Sequence, residues 1–108
     1  MKAQFTFLSG SRAGQTDVLS QANISIGRHP QSELKFDPDK DLDVSSRHAS
    51  VTLVGDLWVL RDLGSTNGTF VNGRQVPSRG KAMVGHGDRL RFGSFETIVV
   101  VVPYPPGS

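Results

Sequence analysis

The chain has 108 residues, 12 Lys and Arg against 10 Asp and Glu, a formal net charge of +2 and no cysteine. That length holds one domain around one core, and a small, dispersed charge argues against a nucleic-acid partner, which would need a basic stripe or interleaved aromatics. The lack of cysteine excludes a disulfide framework and zinc–thiolate sites and points to a reducing, cytoplasmic setting, while no window reaches the roughly 20 apolar residues of a membrane span and no secretion signal opens the chain.

Short apolar runs alternate with Gly, Pro, Asn, Asp and Ser at intervals of roughly ten residues, the spacing of an all-β sandwich or barrel. Phe5-Thr6-Phe7-Leu8 and Ile24-Ser25-Ile26 repeat apolar residues at strand spacing, and Ala49-Ser50-Val51-Thr52-Leu53 alternates one face in and one out. Gly55-Asp56 is a turn signal before Leu57-Trp58-Val59-Leu60, so the two runs read as a hairpin. Asn72-Gly73 predicts a second tight hairpin, and Gly85-His86-Gly87-Asp88 a turn before Leu90-Arg91-Phe92. The unbroken β-branched run that follows Glu96 predicts a strand covered on both faces or paired by a partner. Leu60, Leu63, Phe70, Val71, Leu90 and Phe92 fall at strand spacing as core, and Trp58 is expected as a core anchor in a chain with few aromatics. From residue 103 the prolines of Pro103-Tyr104-Pro105-Pro106 cannot donate to a ladder, so residues 103–108 read as a linker or the cut end of a longer chain, after a domain over residues 1–102.

Three loop-like segments carry the chemistry. Gly27-Arg28 follows a strand, Ser45-Ser46-Arg47-His48 precedes one, and Gly64-Ser65-Thr66-Asn67-Gly68 lies between two. One permanently charged guanidinium with several small hydroxyl and amide donors suits a bound phosphate, whose three acceptor oxygens need converging donors. The alternative for Arg28 is a surface pair with Glu33 or Asp37, and the serines and the Thr-Asn-Gly segment could simply shape turns.

Taken together, in this order and spacing, these motifs resemble the forkhead-associated (FHA) domain family over nearly the whole chain. The resemblance implies an all-β sandwich of two mainly antiparallel sheets, about ten or eleven short strands with recognition loops at one end, that binds phosphothreonine peptides. It implies that Arg28, Ser45, Ser46 and Thr66 contact the phosphate and that Asn67 bonds the peptide backbone. Arg47 is a possible auxiliary contact, since relatives often place a basic residue or Asn where Ser46 stands. Gly27, His48 and Gly68 are implied to be structural. A threonine methyl pocket is implied as well, without visible walls.

The function expected is phosphothreonine-dependent recruitment of proteins marked by an upstream Ser/Thr kinase, by a monomeric domain with no metal, cofactor or catalytic residue. A hydrolase using Ser45 and His48 lacks the elbow and oxyanion hole it would need, and His29 and His86 supply no third metal ligand. The alternative is a phosphate-independent interaction module that binds a folded surface or pairs with itself through the 99–102 strand edge, suggested by Ser46 and by Asp37, Asp39, Asp41 and Asp43 beside the anion site.

Overall fold

The computed structural model describes residues 2–102, which form strands and turns throughout. In chain order the strands are Lys2–Phe7 (β1), Thr16–Leu19 (β2), Asn23–Gly27 (β3), Leu34–Lys35 (β4), Ala49–Val54 (β5), Leu57–Asp62 (β6), Thr69–Val71 (β7), Arg74–Gln75 (β8), Lys81–Val84 (β9), Arg89–Phe92 (β10) and Phe95–Val102 (β11). One sheet runs β2-β1-β11-β10-β7-β8 and the other β4-β3-β5-β6-β9. Every pairing is antiparallel except the short one between β3 and β4.

Alternation builds the core. Ala3, Phe5 and Phe7 of β1 are buried against Ile24 and Ile26 of β3, Val51 of β5, Trp58 and Leu60 of β6, and Leu90 and Phe92 of β10, each large side chain contributing about 1.5–3 kcal/mol by leaving water. Phe36, just past β4, joins the layers edge-on, its ring centroid 5.3 Å from Phe7 and 5.8 Å from Phe92. Trp58 is a core anchor, only 2% exposed. Leu63 departs from the predicted core at 39% exposure: Trp58, Leu60 and Asp62 take the inward face of β6, so position 63 turns outward. Phe70 and Val71 are half-buried, and the Arg91 guanidinium covers the Phe70 ring at 3.8 Å.

The predicted turns are in place. Gly55-Asp56 closes the β5–β6 hairpin, pairing Val54 with Leu57. Asn72 and Gly73, at φ 50° and 83°, make the left-handed pair of a type I′ turn between β7 and β8. The Gly85–Asp88 turn carries the chain from β9 to β10, in the other sheet, with the Asp88 carboxylate accepting from the Gly85 N–H at 2.7 Å. The β-branched run is an inner strand only as far as Ile98, where its ladder with β10 ends; residues 99–102 pair with β1 on one edge and have no ladder partner on the other among the described residues. Coverage of its faces concerns side chains outside the described residues, as does the segment read as a linker.

One end of the sandwich gathers the loops. Residues 8–15 dock on residues 37–43 through Ser11, whose N–H and hydroxyl both donate to buried Asp41 at 3.1 and 2.8 Å. The Gly93 N–H donates to the Gly68 carbonyl at 2.9 Å, tying the β10–β11 turn to the segment before β7.

Candidate functional site

Gly27 ends β3 where two backbones nearly touch: a Cβ there would lie 2.1 Å from the Ser46 carbonyl oxygen. Only glycine allows this approach, and it brings the Arg28 N–H within 3.2 Å of the Ser45 carbonyl and the His29 N–H within 3.0 Å of the Ser46 carbonyl. The Arg28 side chain is then clamped rather than loose. Its Nε donates to the Val44 carbonyl and its Nη1 to the Pro38 carbonyl, the latter at 2.9 Å. Its remaining donors, Nη2 among them, make no hydrogen bond among the described residues, and the guanidinium forms no ion pair there. The two carboxylates that could have paired with it are engaged elsewhere. Glu33 accepts from the Ser25 hydroxyl and from the Ser25 N–H at 2.9 Å, bonds that outweigh burial and lower its pKa. Asp37 accepts from the Asp39 and Lys40 N–H groups at 2.8 and 2.9 Å.

Ser45 links the second loop to the third. Its hydroxyl oxygen accepts from the Thr66 N–H at 3.2 Å, which leaves the O–H free to donate outward. Its own N–H donates to His48 Nδ1 at 3.0 Å, so the imidazole proton sits on Nε2, which donates to the Gly68 carbonyl at 2.8 Å. His48 is fully buried, edge-on to Phe92. Burial pushes its pKa down, against the opposing pull of the Gly68 carbonyl and the Asp62 carboxylate. Gly68 is left-handed at φ 90°, and a Cβ there would meet Phe70 and Gln75 at 3.0 Å. Thr66 and Asn67 are exposed, and the Asn67 amide donates to the Asp43 carbonyl at 3.0 Å, leaving its oxygen available. Ser46 and Arg47 stand at the exposed rim with no side-chain hydrogen bond among the described residues.

Two residues that the motifs do not include help to shape the cluster. Asp62, 3% exposed, accepts from the Ser65 hydroxyl, the Thr69 hydroxyl (2.7 Å) and the N–H groups of Gly64 (3.0 Å), Ser65 (3.3 Å) and Arg79 (3.3 Å). Burial alone would raise this carboxyl, but the hydrogen bonds prevail and hold its pKa below the usual value. The Arg79 guanidinium lies against Gly64, within 3.0 Å of where a Cβ would be. Neither was found from the sequence; the signal for Asp62 is its place in the β6 alternation after Trp58 and Leu60, and nothing local marks Arg79.

The aspartates beside the site are largely engaged. Asp37 caps its own loop, Asp41 is buried on Ser11 and the Asp37 N–H, and the Asp43 carboxylate accepts from the Ser94 hydroxyl. Three loops thus bring together Arg28, Ser45, Thr66 and Asn67, with Gly27, His48 and Gly68 beneath them. Such a group can donate several hydrogen bonds, one charged, to a tetrahedral anion while an amide contacts the chain beside it.

The loop cluster lies at one end of the strand sandwich, on segments that three different strand connections supply. The chain belongs to the FHA domain family, whose model matches residues 24–93, a span that contains the whole cluster. It is 38% identical over 94 residues to the glycogen accumulation regulator GarA of Mycolicibacterium smegmatis, covering 87% of this chain and 56% of the relative. It is 36% identical over 89 residues to the oxoglutarate dehydrogenase inhibitor of Corynebacterium jeikeium, covering 82% of this chain and 58% of the relative. The chain therefore spans little more than half the length of either. Among solved structures, one from a structural and functional analysis of phosphothreonine-dependent FHA domain interactions has a TM-score of 0.79 at 33% identity, covering 95% of this chain and 99% of the other.

Proposed function

We propose that this domain is a phosphothreonine-dependent peptide-binding module that recruits partners marked by a Ser/Thr kinase. The observation that carries the reading is the convergence of Arg28, held by the Val44 and Pro38 carbonyls, with Ser45, whose hydroxyl accepts from the Thr66 N–H. The clamp orients the guanidinium before any ligand arrives, so little side-chain freedom is lost on binding. Phosphorylation adds nearly two negative charges and three acceptors. With each charge-assisted bond contributing about 1.5–3 kcal/mol, the pair Arg28 and Ser45 accounts for a discrimination of a hundredfold or more against the unphosphorylated peptide.

Thr66 supplies a further donor in this reading, Ser46 and Arg47 contact the phosphate from the rim, and Asn67 bonds the peptide backbone. The FHA assignment and the related structure from phosphothreonine-dependent interactions support the ligand class. The names of the GarA and oxoglutarate dehydrogenase inhibitor relatives support a regulatory setting, in which this domain is the phosphate-reading part of a regulator. Calorimetric titration with a degenerate phosphothreonine peptide library and its unphosphorylated counterpart tests the reading. Binding of the phosphorylated library alone is the expected result. Equal binding of both libraries would replace it with a phosphate-independent module.

A further inference from the structure

The outer face of the five-stranded sheet carries an uncompensated charge pattern. The register lines up two rows across it: Ser25, Ser50, Arg61 and Lys81, then Asn23, Thr52, Val59 and Met83. Arg61 and Lys81 stand directly opposite each other, both exposed, and like charges in that position destabilise a strand pair. No carboxylate answers them: among the described residues the ion pair is Arg12–Asp17, on the other sheet, Asp62 points inward, and Glu33 is held by Ser25. Beside the two cations lies an apolar pair, Val59 opposite Met83, with Met83 65% exposed on the edge strand β9.

This surface runs into the loop cluster. A groove of about 650 Å³ passes Thr52, Val59, Arg61, Lys81 and Leu63. Leu63 also borders a second groove with His29 and Arg47, and the His29 N–H is bonded to the Ser46 carbonyl. Arg79 adds a further cation against Gly64. A ligand leaving the Arg28–Ser45–Thr66 cluster along this path meets cations first and an apolar pair next.

We propose that this face is a second contact for the phosphorylated partner and takes an acidic segment of the same partner chain. Its carboxylates sit over Arg61 and Lys81, and an apolar side chain covers Val59 and Met83. The proposal rests on the phosphothreonine reading. Relief of the like-charge pair and burial of the exposed methionine are what the segment supplies to the domain, and the phosphothreonine holds it at high local concentration.

The test uses synthetic phosphothreonine peptides with one common centre and an extension of about ten residues, whose extended reach of about 33 Å exceeds the 27 Å width of the molecule. The extension is rich in Asp, Glu and Leu or is Ser/Gly only, and is placed on either side of the phosphothreonine. Affinities are read by fluorescence anisotropy for the natural domain, an Arg61→Ser/Lys81→Ser double variant, and Arg28→Ala. On one side the acidic extension should tighten binding roughly fivefold over Ser/Gly. The double variant should lose that gain while binding the unextended peptide as before, and its melting temperature should not fall, since the like-charge pair is gone. Equal affinity for all extensions, a gain that survives the double substitution, or a clear loss of thermal stability in the double variant would each overturn the proposal. If the unextended peptide still binds in an Arg28-dependent way, the phosphothreonine reading stands without it; if no phosphopeptide binds, both fall.

Discussion

The Ser45 hydroxyl oxygen lies 3.2 Å from the Thr66 backbone nitrogen, a bond between residues 21 positions apart that sets the distance between two loops. Ser45→Ala removes both this acceptor and an outward donor. The orphaned Thr66 N–H is exposed and turns to water, so the fold loses little. Phosphopeptide affinity should fall at least tenfold, about 1.4 kcal/mol or more, with an unchanged urea midpoint. Unaltered affinity by calorimetry would remove Ser45 from the site.

Arg28→Lys keeps the charge and loses the fork. An ammonium has three donors on one atom and cannot reach the Val44 and Pro38 carbonyls from two nitrogens while facing a ligand. Binding should weaken at least tenfold, close to Arg28→Ala, in a parallel anisotropy titration. A lysine variant of natural affinity would show that charge alone suffices.

His48 makes the fold sensitive to acid. Its folded pKa is depressed below the ordinary value of 6.5 by burial, so between the two values the unfolded chain binds the extra proton. Stability is complete above the unfolded value and declines as pH falls toward the folded one, by up to about 1.4 kcal/mol per pH unit. Chemical denaturation at pH values from about 7 down to about 5 should show this decline. His48→Ala should be less stable at every pH, bind phosphopeptide more weakly, and flatten the profile. A flat profile for the natural domain contradicts the assignment.

Asp62→Asn tests the organiser beneath the third loop. Five donors converge on its two oxygens, and an amide offers one oxygen and turns an NH₂ toward other donors. The expected cost is about 3 kcal/mol in urea unfolding, the range for breaking a buried charged network. A loss under about 0.5 kcal/mol, the scale of an ordinary surface change, would mean that the loop holds itself.

Much of this site could be read along the chain because its signals are local. A glycine before Arg28, a serine three residues before His48 and Asn-Gly turns are imprinted by backbone chemistry within a few residues. The strands β5 and β10 were legible from alternation, and β6 from the apolar run that follows the Gly55-Asp56 turn. By contrast β4 and β8 are two residues long, too short for periodicity, and β2 and β9 set the apolar Val18 and Met83 at exposed positions, which hides their alternation; all four are held in place by the neighbouring strands they pair with. The reason for Gly27 was legible only in part: the residue before Arg28 reads as a turn glycine, whereas its need comes from the Ser46 carbonyl across the loop. Arg79 meets Gly64 through tertiary packing alone, and no spacing in the chain announces it.

The most direct test is the amide and arginine side-chain NMR spectrum of the domain during titration with a phosphothreonine peptide and its unphosphorylated twin. Phosphothreonine recognition by the three loops requires that the phosphorylated peptide shift Arg28 Nε–H and the amides of Ser45, Thr66 and Asn67, while the Gly55-Asp56 turn at the far end of β6 stays still and the unphosphorylated peptide moves nothing. Shifts of equal size with both peptides, or shifts that avoid Arg28 and Thr66, would contradict it.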